Sequence, residues 1–340
     1  MEVQMALSPP RVDPSKSNGS WLRWLRINEA SVTIATVALI LLIGLLRPNF
    51  LAPSQLVDVV RQAVFVGVLA AALSFLLSMR EIDLSIDSSF ALTLVAGALL
   101  IKAGLSPWLA AVAALALGAL LGGFNAVVIQ YIRIPSLIAT LATLSLFRGL
   151  VFAISGGHQV IGLPLEHPFF NIFGGMFILG LPVSVWVLVG LVIVLNLVLN
   201  YTPFGYRVRQ IGSNPAAAAF SGIPVSKVRI QAFMLSGMLA AVAGLLALAF
   251  FASADPNIGS GLGLSAVAAA VIGGTPLRGG TATAIGAGIG AVLLSAVTSG
   301  LVYFNIPANW SQFATGAVIL TAVSLDSLIR NRGKRSIEEN

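Results

Sequence analysis

Residues 201–229 read YTPFGYRVRQIGSNPAAAAFSGIPVSKVR and lie between two uncharged hydrophobic runs, 181–199 and 230–254. The stretch carries Arg207, Arg209, Lys227 and Arg229 and no acidic residue. Each flanking run has about the 20 residues that a helix needs to cross a bilayer core of roughly 30 Å. A cationic loop between two such helices belongs to a chain that crosses a membrane repeatedly. It is also where a soluble partner can dock.

Composition agrees. Charged residues are 9% of the 340 and hydrophobic residues 57%, with a mean hydropathy of +0.97. A soluble globular protein carries roughly 25% charged residues. Hydrophobic runs of adequate length occur near 30–47, 57–79, 86–103, 107–131, 135–155, 181–199, 230–254, 262–275, 281–303 and 308–328, the eighth being short and glycine-rich. No ten-residue segments alternate with period two, so a β-barrel is excluded. The expected fold is all-α, a polytopic membrane helix bundle of about ten transmembrane helices.

The basic residues orient it. With ten spans and a cytoplasmic N-terminus, fifteen of the 19 basic residues fall inside: Arg11, Lys16, Arg23, Arg26, Arg80, Arg133, Arg207, Arg209, Lys227, Arg229, Arg278, Arg330, Arg332, Lys334 and Arg335. Arg47, Arg61 and Lys102 fall outside or at the outer edge, and Arg148 within a span. This is the positive-inside asymmetry, and it places both termini in the cytoplasm. The net charge of +7 therefore reads as orientation, not as affinity for nucleic acid. Residues 1–29 are expected as a cytoplasmic tail and an interfacial anchor (Trp21, Arg23, Trp24 and Arg26), 30–329 as the transmembrane domain with a cytoplasmic loop at 200–229, and 330–340 as a second tail.

Several chemistries are excluded. No GxxxxGKS or GxxxxGKT phosphate loop occurs, so the chain lacks that means of binding ATP. There are no cysteines, and His158 and His167 fall in one loop with no HExxH, so no metal site and no catalytic centre is expected. No cofactor is expected either. Intramembrane carboxylates are nearly absent, which argues against a proton-relay transporter. Energy is expected to come from another subunit.

Four segments carry polar information. Met79-Arg80-Glu81-Ile82-Asp83-Leu84-Ser85-Ile86-Asp87 packs four charges between two hydrophobic runs. It is either a cytoplasmic turn, with Asp83 or Ser85 capping the next helix, or a broken, partly re-entrant segment lining a pathway. Pro135 opens a helix on which Thr140 and Thr143 share a face, for a hydroxylated solute or for a neighbouring helix. Arg148 lies about 20 Å along it. Gly273-Gly274-Thr275-Pro276 and the glycines after Arg278 cannot be helix interior and form an irregular turn. Beside it, Gly286 and Gly290, four apart, permit close helix contact. In the opening loop, Asn214 caps a short helix with Pro215 at its first position, and Gly222 ends it.

These segments together resemble the permease subunits of bacterial ABC importers for ribose, xylose, arabinose, galactosides and related polyols. Ile82-Asp83-Leu84-Ser85 reproduces the centre of that family's GGIDLSVGS. Ile134-Pro135, Thr140-Leu141 and Arg148-Gly149 are similar to its IP…TL…RG signature. Gly212, Asn214, Ala217, Ala218, Ser221 and Gly222 match its cytoplasmic GxN…AA…SGI loop, and Gly273, Gly274, Thr275 and Gly279-Gly280 its GGTSLxGG turn. The resemblance spans about residues 30–328. It implies an inner-membrane permease without an ATPase site of its own, working with cytoplasmic ATP-binding subunits, a periplasmic sugar-binding protein and a second permease chain, like or unlike. It also implies that the helix at 214–221 is the coupling helix.

Arg80, Glu81, Asp83, Ser85, Asp87, Thr140, Thr143, Arg148, Gly273, Gly274 and Thr275 are the candidate pathway or gate residues. Arg80 and Glu81 stand where the family carries glycines, and Asp87 replaces another. Arg80 is accordingly expected to pair with Glu81 or Asp87 and stiffen the segment, or to alter the cytoplasmic gate. The alternatives are a permease of branched-chain amino-acid importers and a stand-alone transporter or channel.

Overall fold

The structure, a computed structural model, describes residues 20–307, 310, 312–318 and 320–321, with side chains from residue 29 onward. The tails expected at 1–19 and 330–340, and the end of the tenth hydrophobic run, lie outside the described residues. The helices are α1 (Ser20–Leu46), α2 (Pro53–Ser78), α3 (Ile86–Lys102), α4 (Pro107–Val127), α5 (Ser136–Ser155), the single turn α6 (Pro168–Phe170), α7 (Val183–Tyr201), α8 (Pro203–Ser213), α9 (Pro215–Phe220), α10 (Val225–Phe251), α11 (Leu262–Ile272) and α12 (Ala284–Tyr303). The one strand pair among the described residues is a small antiparallel hairpin, β1 (Phe177–Ile178) with β2 (Leu181–Pro182).

Proline punctuates the starts. It occupies the first turn of α2, α4, α8 and α9, where the N–H that it lacks has no helical partner anyway. A helix that is apolar all round belongs either in a protein core or in a membrane, and α2 is packed as core. Every residue from Ala63 to Ser78 is buried, with α7, α10, α11 and α12 around it. α10 joins α2 to α3 and α4. Gly118 and Gly122 of α4 lie on the backbone of Gly237 and Phe233 in α10, so close that a side chain on either glycine would overlap it. Such small-residue contacts hold helices together where lipid offers no hydrophobic drive. α1 is the opposite case, with Leu41, Leu42, Leu45 and Leu46 exposed on its outer turns.

Seven described helices are long and apolar enough to span a membrane: Glu29–Leu46, Pro53–Ser78, Pro107–Ile132, Ser136–Ser155, Val183–Tyr201, Val225–Phe251 and Ala284–Tyr303. The runs at 86–103 and 262–275 differ. α3 has 17 residues. α11 has only 11, about 17 Å of helix, roughly half the bilayer core. The short run is thus a half-helix, because the glycines at 259–263 and 273–274 stop it at both ends. The glycines of α12 pack within the chain as their spacing predicts: Gly286 lies on Gly273 and Gly290 on Ala269.

Candidate functional site

All four polar segments of the sequence meet on residues 78–88. At Arg80 the backbone turns left-handed, with φ 65°, and Glu81 N–H returns to the Leu76 carbonyl at 2.9 Å. The turn throws the Arg80 guanidinium toward the end of α8, where Nη2 donates to the Ser213 carbonyl at 2.8 Å. Glu81 points elsewhere, its carboxylate accepting from Arg229 Nε of α10 at 2.7 Å. A second Arg229 N–H donates to Gln130 Oε1. The expected pairing of Arg80 with Glu81 or Asp87 is therefore corrected. Arg80, Glu81 and Asp87 instead each find a partner on a different helix: Ser213 at the end of α8, Arg229 of α10 and Arg148 of α5.

Beneath these side chains the contact is made by main chain alone. Gly280 N–H donates to the Ser78 carbonyl at 2.8 Å. Gly212 lies so close that a Cβ on it would overlap both Ser78 O and Gly280 N. The end of α2, the end of α8 and the glycine turn before α12 thus form one junction. Gly273, Gly274 and Thr275 brace it: Thr275 Oγ1 accepts from Thr283 N at 3.2 Å, and Thr283 Oγ1 accepts from Gly286 N at 3.1 Å as the α12 cap.

The left-handed turn makes a prediction about Arg80. A non-glycine residue there carries a steric cost of about 1 kcal/mol that glycine escapes. Arg80→Gly and Arg80→Ala both lose the Ser213 bond, but only glycine relieves the backbone. In thermal unfolding of the purified chain the glycine variant should exceed the alanine variant by about 1 kcal/mol. Equal melting of the two would remove the strain argument.

From Ile82 onward the segment climbs α5. Ile82 N donates to Ser136 Oγ (3.2 Å), Thr140 Oγ1 donates to Ile82 O (3.2 Å), Ser88 Oγ donates to Leu144 O (2.9 Å), and Asp87 reaches Arg148 at 3.6 Å. Ser136 to Arg148 is about 18 Å of helix, so α3 starts well inside the bundle. The helical path is broken here, between the end of α2 at Ser78 and the start of α3 at Ile86. Ser85 stands at the N-cap of α3, but no side chain makes a capping bond there. Asp83 Oδ1 instead accepts from Ser85 N and Oγ at 3.0 and 2.6 Å, and Asn125 Nδ2 donates to Ser85 Oγ at 2.7 Å. Thr143 Oγ1 turns back to the Thr140 carbonyl.

A second broken segment meets the first. Residues 252–261, between α10 and α11, fold inward until Gly261 N–H donates to Asp87 Oδ2 at 3.2 Å. Arg148 Nη1 donates to the carbonyls of Pro256 (3.0 Å) and Ile258 (3.3 Å). Asp87 and Arg148 therefore clamp this loop between α3 and α5.

The opening loop holds two helices where the sequence led us to expect a turn and one. α8 is amphipathic, burying Val208 and Ile211 while exposing Tyr206 and Arg207. Its regular spacing is masked in the sequence by Gly205 and Gly212, which it needs for close approach. α9 matches expectation: Asn214 Oδ1 accepts from Ala217 N at 3.0 Å, and Gly222 ends the helix at φ 80°. Ala217 is exposed and Ala218 is buried, so the expected docking pair faces two ways. Phe220, at the end of α9, is 94% exposed. Ser221 is exposed beside it.

A cavity of about 820 Å³ opens among α2, the end of α10, the start of α11, α12 and residues 312–316. Phe250 and Phe251 form one side of it, and Gln62, Ser265, Ser295 and Thr298 contribute polar groups. None of the pathway residues read from the sequence lines this cavity, but Gly261, which Asp87 holds, does.

A buried polar break inside a helix bundle, a solute-sized cavity and an exposed two-helix loop define a membrane-transport subunit. Residues 55–323 match the family described as "Branched-chain amino acid transport system / permease component", and the chain belongs to that family. It is 35% identical over 290 residues to the ribose import permease protein RbsC of Bacillus subtilis, covering 85% of this chain and 89% of the relative. It is 31% identical over 338 residues to the L-arabinose ABC transporter permease protein AraH of Azospirillum brasilense, covering 97% and 98%. To the autoinducer 2 import system permease protein LsrC of Escherichia coli K12 it is 34% identical over 317 residues, covering 93% and 92%. No solved structure matches. The resemblance read from the four motifs is thus confirmed, and the chain is a multi-pass inner-membrane transport component, not an enzyme.

Sequence reading missed Asn125, Gln130, the loop at 252–261 and Phe220. Asn125 had a signal: it is the one amide within the apolar run of α4, and polar groups inside such helices mark interior contacts. Gln130, beyond that helix, and the loop at 252–261 had none, because their partners are more than 90 residues away in sequence.

Proposed function

We propose that this chain is the permease of a binding-protein-dependent ABC importer that carries a monosaccharide or a related small polyol. It enters the membrane in about ten hydrophobic segments, of which α11 is a half-helix, with both termini cytoplasmic, and it works as a pair of permease chains beside cytoplasmic ATP-binding subunits. α9 and its flanks, with Gly212, Asn214, Ala217, Ala218, Ser221 and Gly222, form the coupling element. Arg80, Glu81, Asp83, Ser85, Asp87, Thr140, Thr143, Arg148, Gly273, Gly274 and Thr275 build the gate, acting as its frame and hinge. The observation that carries this reading is the junction of Ser78, Gly212 and Gly280, with Arg80 on Ser213 and Glu81 on Arg229. It joins the exposed loop to the most buried helix through hydrogen bonds and close backbone contact. Motion imposed on α9 passes through α8 to α2.

A branched-chain amino-acid importer is the second reading, favoured by the printed description of the family. Uptake separates them. The importer reconstituted in liposomes with its ATPase and binding protein should accumulate labelled D-ribose or L-arabinose and not L-leucine. Uptake by the lone chain, without ATP, would sink both.

Phe220 offers a sharper check of coupling. Its ring is the most exposed large apolar side chain among the described residues, and burying such a ring in a partner's groove typically yields about 2 kcal/mol or more. Phe220→Ala should weaken association of the ATPase with the permease by roughly 30-fold and leave the melting of the isolated permease unchanged. Full retention of the ATPase on the variant permease would refute this contact.

A further inference from the structure

We infer that the cavity bounded by Phe250, Phe251, Gln62, Ser295 and Thr298 is the solute site of this chain, and that it selects neutral polyhydroxylated rings over charged or zwitterionic solutes. The inference rests on the importer reading above and names the site and its selectivity.

The lining has two kinds of surface. Phe65, Phe250 and Phe251 cluster with ring centroids 4.8–6.0 Å apart, and Phe251 is 45% exposed. Rings of this kind offer flat apolar faces to the C–H side of a sugar. Gln62, Ser265, Ser295 and Thr298 supply hydroxyl and amide groups that both donate and accept, as a ring of hydroxyls requires. A few placed polar groups in a mostly apolar wall is the usual make-up of a small-molecule site, and 820 Å³ lies within the usual size.

What the lining lacks sets the selectivity. No charged side chain lines the cavity among the described residues. The Arg61 guanidinium lies behind the wall, 4.3 Å from the Phe250 ring centroid and donating to the Gly174 carbonyl, and does not line the cavity. The head of α11 has N–H groups that would suit a carboxylate. That position is already taken: Asp87 accepts from Gly261 N–H at 3.2 Å. Asp87 is itself matched by Arg148. The carboxylate of an amino acid would enter the cavity and find its natural partner occupied by the protein's own. A neutral polyol needs no such partner.

The chain has no cysteine, so Thr298→Cys would place its single thiol in the cavity wall. With the ATPase-bound permease in nanodiscs, the rate of modification by a small methanethiosulfonate is read with and without solute. D-Ribose or L-arabinose at about ten times its dissociation constant should slow labelling by about tenfold, and L-leucine at the same concentration should not. Adding Phe251→Ala, at the most exposed ring of the cluster, should raise the sugar concentration needed for protection severalfold.

Uptake by the unsubstituted importer is measured in parallel. If it accumulates either sugar while neither protects the introduced thiol, the cavity is not the site, though the importer reading stands. If it accumulates leucine and neither sugar, the importer reading itself fails. Protection by leucine overturns the selectivity in either case, and protection unaffected by Phe251→Ala overturns the aromatic wall.

Discussion

Gly212→Val should leave little folded, transport-competent protein. A β-carbon at 212 overlaps Ser78 O and Gly280 N, and these two atoms are bonded to each other. A clash with a flexible side chain is relieved by rotation. Here all three parties are backbone, held by the ends of α2 and α8 and by the turn before α12, so relief requires moving a helix. Overpacking in a core ordinarily costs about 1–3 kcal/mol, and with no side chain to yield the cost should exceed that range. The test compares the melting temperature and the ATP-dependent uptake of Gly212→Val with those of Gly190→Val, an exposed control with open space around it. Equal melting and uptake in the two would show that the junction is looser than its geometry implies.

The second large effect concerns the clamp. Asp87 and Arg148 are 3.6 Å apart with side chains only 9% and 17% exposed. Removing one partner of a buried pair leaves an uncompensated charge and costs about 3–5 kcal/mol. Asp87→Leu and Arg148→Met should each destabilise by about that much, and the double variant by clearly less than their sum. Strict additivity would mean that the two charges do not sense each other. Because both also hold the loop at 252–261, limited proteolysis there should increase in every variant, including the double one.

Much of the bundle was readable because membrane helices announce themselves by length and apolarity. The runs that became α1, α2, α4, α5, α7, α10 and α12 are each close to the required 20 residues. Charge counting supports their orientation, and the Asn-Pro…Gly order of 214–222 located α9 and both its ends. What was not readable followed from long-range contact. The 79–87 segment looked self-paired because four charges sit within nine positions. Only the fold shows that Arg80 belongs to Ser213, Glu81 to Arg229 and Asp87 to Arg148. Likewise the wall of the cavity is drawn from α2, α10, α11 and α12, each ordinary in its own stretch of sequence. Gln62, Ser295 and Thr298 become a group only once those helices are side by side.

One consequence follows from the complete burial of α2 between Ala63 and Ser78. Its lower end is fixed in the backbone junction, and its upper part carries Gln62 and Phe65 into the cavity wall, about 24 Å away. A helix hemmed in on every side resists bending and moves as a rod. A tilt of about 5° about its foot shifts the far end by roughly 2 Å over that length, more than half the diameter of a water molecule. Leverage of that ratio lets a small push at the cytoplasmic end of the bundle alter whether a solute still fits at the other.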